Sequence, residues 1–387
     1  MKKSIILAAL LASSSAFSQQ ASKNSDFAFR LYAQMKASQG NIIVSPNSIS
    51  EAMAMVYSGA AGSTKDQIAK TMGFAPKLSK HFKSYKELNS NLSKIKSVEL
   101  YRANSIWVES TFQPKNSFLK DNSKVFGAAI FKTDFLNNAN KARKDINLWV
   151  EGNTKSKIVN LLPEGSIDGR TQMVLVNTIY FYGSWESAFN PRATQKETFN
   201  TPSQPIDVDF LHAKGSYRYS NADGYSMIEV PFKGKDIVLL AMLPEDMAGM
   251  ESLENRLTPE FLKQATEKLS TEEVDLKLPK IKLETESVRI DNLLSNMGMP
   301  IAFSGSADFS GISKKKDLRI DKVFHKAFLE FTEQGAEAAA ATAITMTRTS
   351  VNLHGPKFWA NRPFIFFIWD KTNNVILFMG RIERPNA

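Results

Sequence analysis

Cysteine is absent from the 387 residues. Its absence excludes disulfides, thiolate metal sites, a cysteine nucleophile and a lipid-modified N-terminal cysteine. A chain without cross-links must be held by its core, and 387 residues, 43% of them hydrophobic, can bury a large one. Histidine is scarce, with only His81, His212, His325 and His354. The motifs that would organise catalysis are missing as well: no Gly-x-Ser-x-Gly, no His-Glu-x-x-His, no Gly-x-x-x-x-Gly-Lys phosphate loop and no dinucleotide glycine fingerprint. Ser-x-x-Lys occurs at Ser93/Lys96, Ser117/Lys120 and Ser313/Lys316, but the Lys-Thr-Gly that a β-lactamase pairs with it does not. Neither an enzyme nor a metal or other cofactor is expected.

Long apolar runs are few. The run Ile5–Leu11 follows Lys2 and Lys3 and precedes Ala16-Phe17-Ser18, the order of a secretory leader and too short to span a bilayer. The expectation is a signal peptide over residues 1–18 and export to the periplasm or the medium, with no membrane partner. Pro-, Gly- or Ser-rich linkers are also lacking, so residues 19–387 read as a single domain. Removing Lys2 and Lys3 with the leader lowers the net charge from +10 to +8. The remaining lysines are scattered, Lys314-Lys315-Lys316 being the densest run, and no basic aromatic motif accompanies them. No nucleic-acid partner is therefore expected, and the 26 Phe and five Trp are assigned to the core.

What is present reads as helices first and strands later. Residues 24–36 carry apolar side chains at helical spacing, and Ser45-Pro46-Asn47-Ser48 has the form of an N-terminal cap opening the run Ile49–Met72. Further helices are expected at 142–152 and 259–269. Segments rich in β-branched and aromatic residues follow at 98–108, 172–182, 225–232, 237–243 and 274–283. Lys233-Gly234-Lys235 is a predicted hairpin turn, and Pro363–Arg381 a predicted pair of strands joined at 371–374. This order indicates an α+β fold with large, mostly antiparallel sheets.

The unusual segment is Glu333–Ser350. Between Glu337 and Arg348 it has no charge and no aromatic ring, and Ile344 and Met346 share a parity with Ala336, Ala338, Ala340 and Thr342. It can form an alanine-rich helix or enter a sheet as a strand with one face inward.

Several motifs together resemble the serpin family, over about Asp26 to Arg384. They are Asn41–Ile49; Ile146–Glu151 with Thr154 and Lys157-Ile158; Leu175–Phe181 with Gly183 and Trp185; Leu278-Pro279-Lys280; Ala307–Ile312; and, most specific, His325-Lys326-Ala327 with Glu333–Thr342. The resemblance implies a metastable monomer of the serpin fold that inhibits proteases as a suicide substrate, here of exported, bacterial, inhibitory type. A reactive-centre loop, about residues 335–360, is cleaved, holds the protease as an acyl-enzyme and inserts into the central sheet, a strand addition driven by stored strain. The hinge implied is Glu333, Gly335, Ala336, Glu337, Ala338, Ala339, Ala340, Ala341 and Thr342, with Ala336 standing where the family more often has Thr or Ser. The region over which the sheet opens is implied at Ser45, Ser48, Asn177, Trp185, Lys280 and His325. A non-inhibitory binding protein or chaperone of the same fold is the alternative.

For the scissile bond two arguments differ by one residue. Spacing from Gly335 points to Thr349-Ser350, a site for elastase-like or subtilisin-like enzymes. Side-chain chemistry points to Arg348-Thr349, because Arg348 is the only Lys or Arg between Lys326 and Lys357 and suits the acidic pocket of a trypsin-like enzyme. Cysteine proteases are a further target class.

Overall fold

The structure is a computed structural model and describes residues 23–95, 97–314, 318–335 and 355–385. Helix α1 spans 23–35. It is followed by β1 (Ile42–Val44), α2 (Pro46–Tyr57), α3 (Gly62–Met72) and α4 (Leu78–Lys94). The Ser45 hydroxyl caps α2 by accepting from the Ser48 N–H at 3.3 Å, and Pro46 takes the first helical position. The single helical run read from Ile49 to Met72 is two helices. The break has a tertiary cause: Gly59 lies against the 309–312 turn, where a Cβ on it would come within 2.2 Å of Ile312 Cγ1, and its carbonyl accepts from the Gly311 N–H at 3.0 Å.

Among the described residues, the largest sheet has nine strands. Its order is β1, β16 (Val375–Ile382), β15 (Phe364–Asp370), β8 (Ile237–Pro244), β7 (Tyr225–Pro231), β6 (Ile206–Ala222), β9 (Ser270–Pro279) and β14 (Lys357–Trp359), with β5 (Gln195–Phe199) also paired to β6. Every residue of β8 and β16 is buried, so the apolar runs Ile237–Leu243 and Val375–Met379 are covered on both faces. The predicted turns hold, with Gly234 at φ +85° and Lys235 at φ +64° between β7 and β8, and Asn374 at φ +52° between β15 and β16.

A second sheet orders β3 (Ala129–Thr133), β2 (Glu99–Glu109) and β4 (Met173–Tyr182). Two strand pairs stand apart from it: β10 (Ile281–Glu284) with β13 (Phe328–Phe331), and β11 (Val288–Arg289) with β12 (Phe324–His325). The strand expected over Val274–Leu283 is thus divided at Lys280 into β9 and β10, which belong to different sheets. Helix α5 (Asn116–Phe126) precedes β3, and α6 (Phe135–Asn153) lies on β2 through Trp107, Phe135, Ile146, Val150 and Val176. Glu109 at the end of β2 accepts from the backbone N–H groups of Phe135 (2.6 Å) and Leu136 (3.0 Å) and so fixes the start of α6. Helices α7 (Gly249–Arg256), α8 (Pro259–Glu267) and α9 (Asp291–Asn296) complete the described elements, none of which is long and apolar enough to cross a membrane. The α+β expectation therefore holds.

One buried charge ties the ends of the chain together. Arg381 on β16 is 4% exposed. Its Nη1 donates to Glu254 of α7 at 2.8 Å, and its Nη2 to the carbonyls of Ser38 (2.6 Å) and Gly40 (3.0 Å). The Tyr32 hydroxyl of α1 donates to the same Glu254 at 2.6 Å. Removing the guanidinium leaves a buried carboxylate and orphaned carbonyls. Arg381→Ala is expected to cost about 3–5 kcal/mol, read as a lowered urea midpoint; a midpoint within experimental error of the parent would show that Tyr32 alone satisfies Glu254.

Candidate functional site: the seam of a divided sheet

Strands β4 and β13 are neighbours without being partners. Each is paired on its outer side, β4 to β2 and β13 to β10. Between them, among the described residues, there is no ladder. They touch through side chains, with Tyr180 against Phe328 edge to face at 6.1 Å, and most of their residues are buried. Among the described residues the second edge of each strand carries no ladder, and an unladdered edge is a template for an added strand.

The upper end of this seam is clamped. Trp185, 3% exposed, stacks on Phe232 at 4.5 Å and meets Phe331 at 5.8 Å. Its indole donates to the Thr332 carbonyl at 2.8 Å and its backbone N–H to the Gln334 carbonyl at 2.9 Å. Glu333 accepts from Lys280 at 3.1 Å and from the Thr194 hydroxyl at 3.0 Å, while its carbonyl accepts from the Phe189 N–H at 2.7 Å. Burial alone would raise the Glu333 carboxyl, but its own N–H, Lys280 and Thr194 together hold it below the usual range. Lys280 and Glu333 are thus an ion pair.

Directly after it the chain reverses. Thr332 and Gly335 exchange backbone hydrogen bonds, N–H to carbonyl at 2.8 Å in one direction and 3.2 Å in the other, and Gly335 bridges Ser184 in antiparallel sense. Gly335 stands at φ +134°, and a Cβ there would fall 2.1 Å from the Gly183 carbonyl oxygen. Both the dihedral and the close approach demand glycine. The chain thus leaves Gly335 alongside the β4 extension. Of the predicted hinge, Ala336 to Thr342 lie outside the described residues, as do Arg348, Thr349 and Ser350. Residues 357–359 form strand β14, paired in parallel with β9.

Beneath the middle of the seam the predicted polar cluster assembles, with Trp185 and Lys280 belonging to the clamp instead. His325 Nε2 accepts from the Ser45 N–H at 3.2 Å, and the Ser45 hydroxyl donates to the Leu377 carbonyl at 2.6 Å. The Ser48 hydroxyl bonds to Asn177 Oδ1. The cluster extends beyond the predicted residues. Asn177 Nδ2 donates to Asn104 Oδ1 at 2.6 Å and to Glu51 at 3.2 Å, and Glu51, whose side chain is 3% exposed, is paired with Arg102. Glu51 was legible in principle, since it is an acid one helical turn from Ser48 in an otherwise apolar stretch of α2; its partner, 51 residues on, was not. A strap crosses the seam from above: after α6, Lys157 pairs with Glu330 of β13 at 3.4 Å, and Lys326 donates to the Val159 carbonyl at 2.8 Å.

Two strands with one unladdered edge each among the described residues, a clamped turn after β13 and a buried polar cluster against β4 make up the site. The profile described as "Serpin (serine protease inhibitor)" matches residues 22–385. Human "Serpin B4" is 36% identical over 384 residues, covering 94% of this chain and 98% of the relative. The "Leukocyte elastase inhibitor" of Equus caballus is 36% identical over 380 residues, covering 95% and 100%. Among solved structures, human thyroxine-binding globulin superposes with a TM-score of 0.88 at 30% identity, covering 96% of this chain and all of that one. The chain belongs to the serpin family and has its fold. These relatives are animal proteins and lend no support to a bacterial source.

Two measurements probe the seam. Gly335→Ala is expected to cost about 1–3 kcal/mol, because a strained dihedral and a backbone clash must both be relieved; an unchanged thermal midpoint would mean that the Thr332–Gly335 turn is not held in solution. Burial pushes His325 down to about 4, whereas an unfolded histidine titrates near 6.5. The folded state therefore refuses a proton that the unfolded state accepts. The stability this group provides is whole above about pH 6.5 and is lost as pH falls toward 4. His81, also buried and held at about 4, acts with the same sign. His325→Gln should flatten the dependence between pH 6.5 and 4 only in part, and the same slope in parent and variant would contradict burial of the neutral ring.

Proposed function

We propose that this protein is an inhibitory, suicide-substrate serpin, exported by the leader at residues 1–18. The observation that carries the reading is the seam: β4 and β13 adjacent but unladdered among the described residues, with the chain turned back at Gly335 toward it. The alanine-rich stretch after Gly335 supplies small side chains that can enter between strands without steric or desolvation cost. Resemblance to a leukocyte elastase inhibitor supports the same reading. In this scheme the protein is consumed rather than turning over. The bait is Arg348-Thr349 for trypsin-like enzymes and an adjacent bond, Thr349-Ser350, for elastase-like or subtilisin-like ones. A second reading, a non-inhibitory binding protein, draws on thyroxine-binding globulin, solved in complex with thyroxine.

The deciding experiment is incubation with trypsin, elastase and subtilisin followed by denaturing electrophoresis. An SDS-resistant complex, with the released C-terminal peptide beginning at Thr349 or Ser350, is expected. Arg348→Ala should abolish the trypsin complex and spare the elastase one. Ala340→Glu, which would drive a charge into a sheet interior, should turn the inhibitor into a substrate that is cleaved without trapping. Cleavage by all three enzymes with no complex would favour the binding protein.

A further inference from the structure

At its far end the nine-stranded sheet carries an outer face that the proposed insertion does not use. Leu276 of β9, Phe358 of β14 and, at the margin, Ala213 of β6 pack against the core, so the residues alternating with them point outward. Strand pairing sets these in two rows. His212, Lys277 and Trp359 stand side by side in one, and Lys214, Asp275 and Lys357 in the other. The half-buried Trp359 indole carries two ammonium groups, Lys277 Nζ and Lys357 Nζ, each 4.5 Å from a ring centroid. Among the described residues only Lys277 is otherwise engaged, donating to both carboxylate oxygens of Glu197 at 2.6 and 2.8 Å. Lys357 is exposed and rests on the indole. Asp275 takes His212 at 2.7 Å and lies 3.8 Å from Lys214.

We propose that this face is a second contact for the protease engaged at the bait, favouring enzymes whose surface beside the substrate cleft is acidic. The proposal takes its partner from the inhibitory reading and adds a site to it. Reach is the first argument. Lys357 follows Thr349 by eight residues, a tether of at most about 29 Å, shorter than the roughly 40 Å width of a protease domain of about 220 residues. An enzyme seated at Arg348-Thr349 is held within contact distance of β14. Composition is the second argument. Aromatic rings are enriched among interface anchors, and exposed charges such as Lys357 and Lys214 around one steer encounter and set partner choice. Strand β14 also ends the sheet, so no described strand flanks Trp359 on its other side. A polyanion is disfavoured, because Asp275 and Glu197 interrupt the cations.

The test compares kcat/KM for cleavage of the loop in the full mature chain with that of a synthetic peptide of residues 342–356, in which Arg348 is the only Lys or Arg. An anionic and a cationic trypsin serve as probes, since they share a specificity pocket and differ in surface charge. The ratio of protein to peptide reports contacts beyond the bait, and in the parent it should be higher for the anionic enzyme. Lys214→Glu/Lys357→Glu should lower that ratio by about tenfold at low salt and by less at high salt, while leaving or raising the ratio for the cationic enzyme. Trp359→Ala should lower both by about fivefold or more. These side chains lie on the outer face, so thermal midpoints near the parent's are expected. Each rate counts cleavage whether or not trapping follows, so the absence of an SDS-resistant complex would speak against inhibition and leave this measurement whole. Ratios unchanged in both variants would overturn the proposal, as would an equal loss with both trypsins in the charge variant.

Discussion

Backbone hydrogen bonding is the constraint on which this molecule turns. A strand inside a protein must pair the N–H and C=O groups of both its edges, yet β4 and β13 are each laddered to a described strand on one side only. The rest of the architecture bears on that seam. The Trp185 indole and the Glu333–Lys280 pair close its top, the Lys157–Glu330 pair straps it from outside, and the Ser45–His325 and Ser48–Asn177 contacts lie beneath its middle. None of these is an extended ladder; each consists of one or two hydrogen bonds or ion pairs, and under the proposed function these are the contacts that opening would break.

The polar floor is an expensive choice. Packed apolar residues in place of Ser48, Glu51, Arg102, Asn104 and Asn177 would stabilise the fold at least as well, since a buried ion pair seldom recovers its desolvation cost. What a satisfied polar network provides is direction. Every member has a specific partner, so a shift of β4 relative to α2 exchanges discrete hydrogen bonds instead of sliding one apolar surface over another. The nine-stranded sheet makes the contrast plain, because β8 is apolar and buried throughout and its packing has no such discrete alternatives, whereas the cluster against β4 is polar.

Much of this was legible in the sequence where the signal was local. The strands at 98–108, 172–182, 225–232 and 237–243 declared themselves by composition, and the turns at Gly234 and Asn374 by residue type. The family motifs brought Ser45, Ser48, Asn177 and His325 together before any coordinates did. What failed to show was tertiary. Nothing near Gly59 in the chain announces that Ile312 will press against it, and nothing around Lys280 announces that Val274 and Leu283 will serve different sheets. The expected elements omit α4 and α5, whose buried faces interleave polar residues, His81, Ser84 and Asn122, with the apolar ones. Arg102 reads as an ordinary strand residue until Glu51 appears beneath it.

Glycine 335 shows how both kinds of information converge. Sequence alone makes it a residue free to swing, whereas the structure makes it a residue forced to stay, since φ +134° and a carbonyl oxygen 2.1 Å from any Cβ admit no other side chain. Under the insertion proposed above, these two properties are compatible only if the turn is an endpoint of the motion and not its pivot throughout. The bonds between Thr332 and Gly335 and the bridge from Gly335 to Ser184 hold Gly335 antiparallel to the β4 extension. A strand entering in that sense would keep its direction along β4, because antiparallel pairing with one neighbour sets the direction for the rest. On that reading the glycine would fix the geometry of entry and the clamp at Glu333 would set where entry begins.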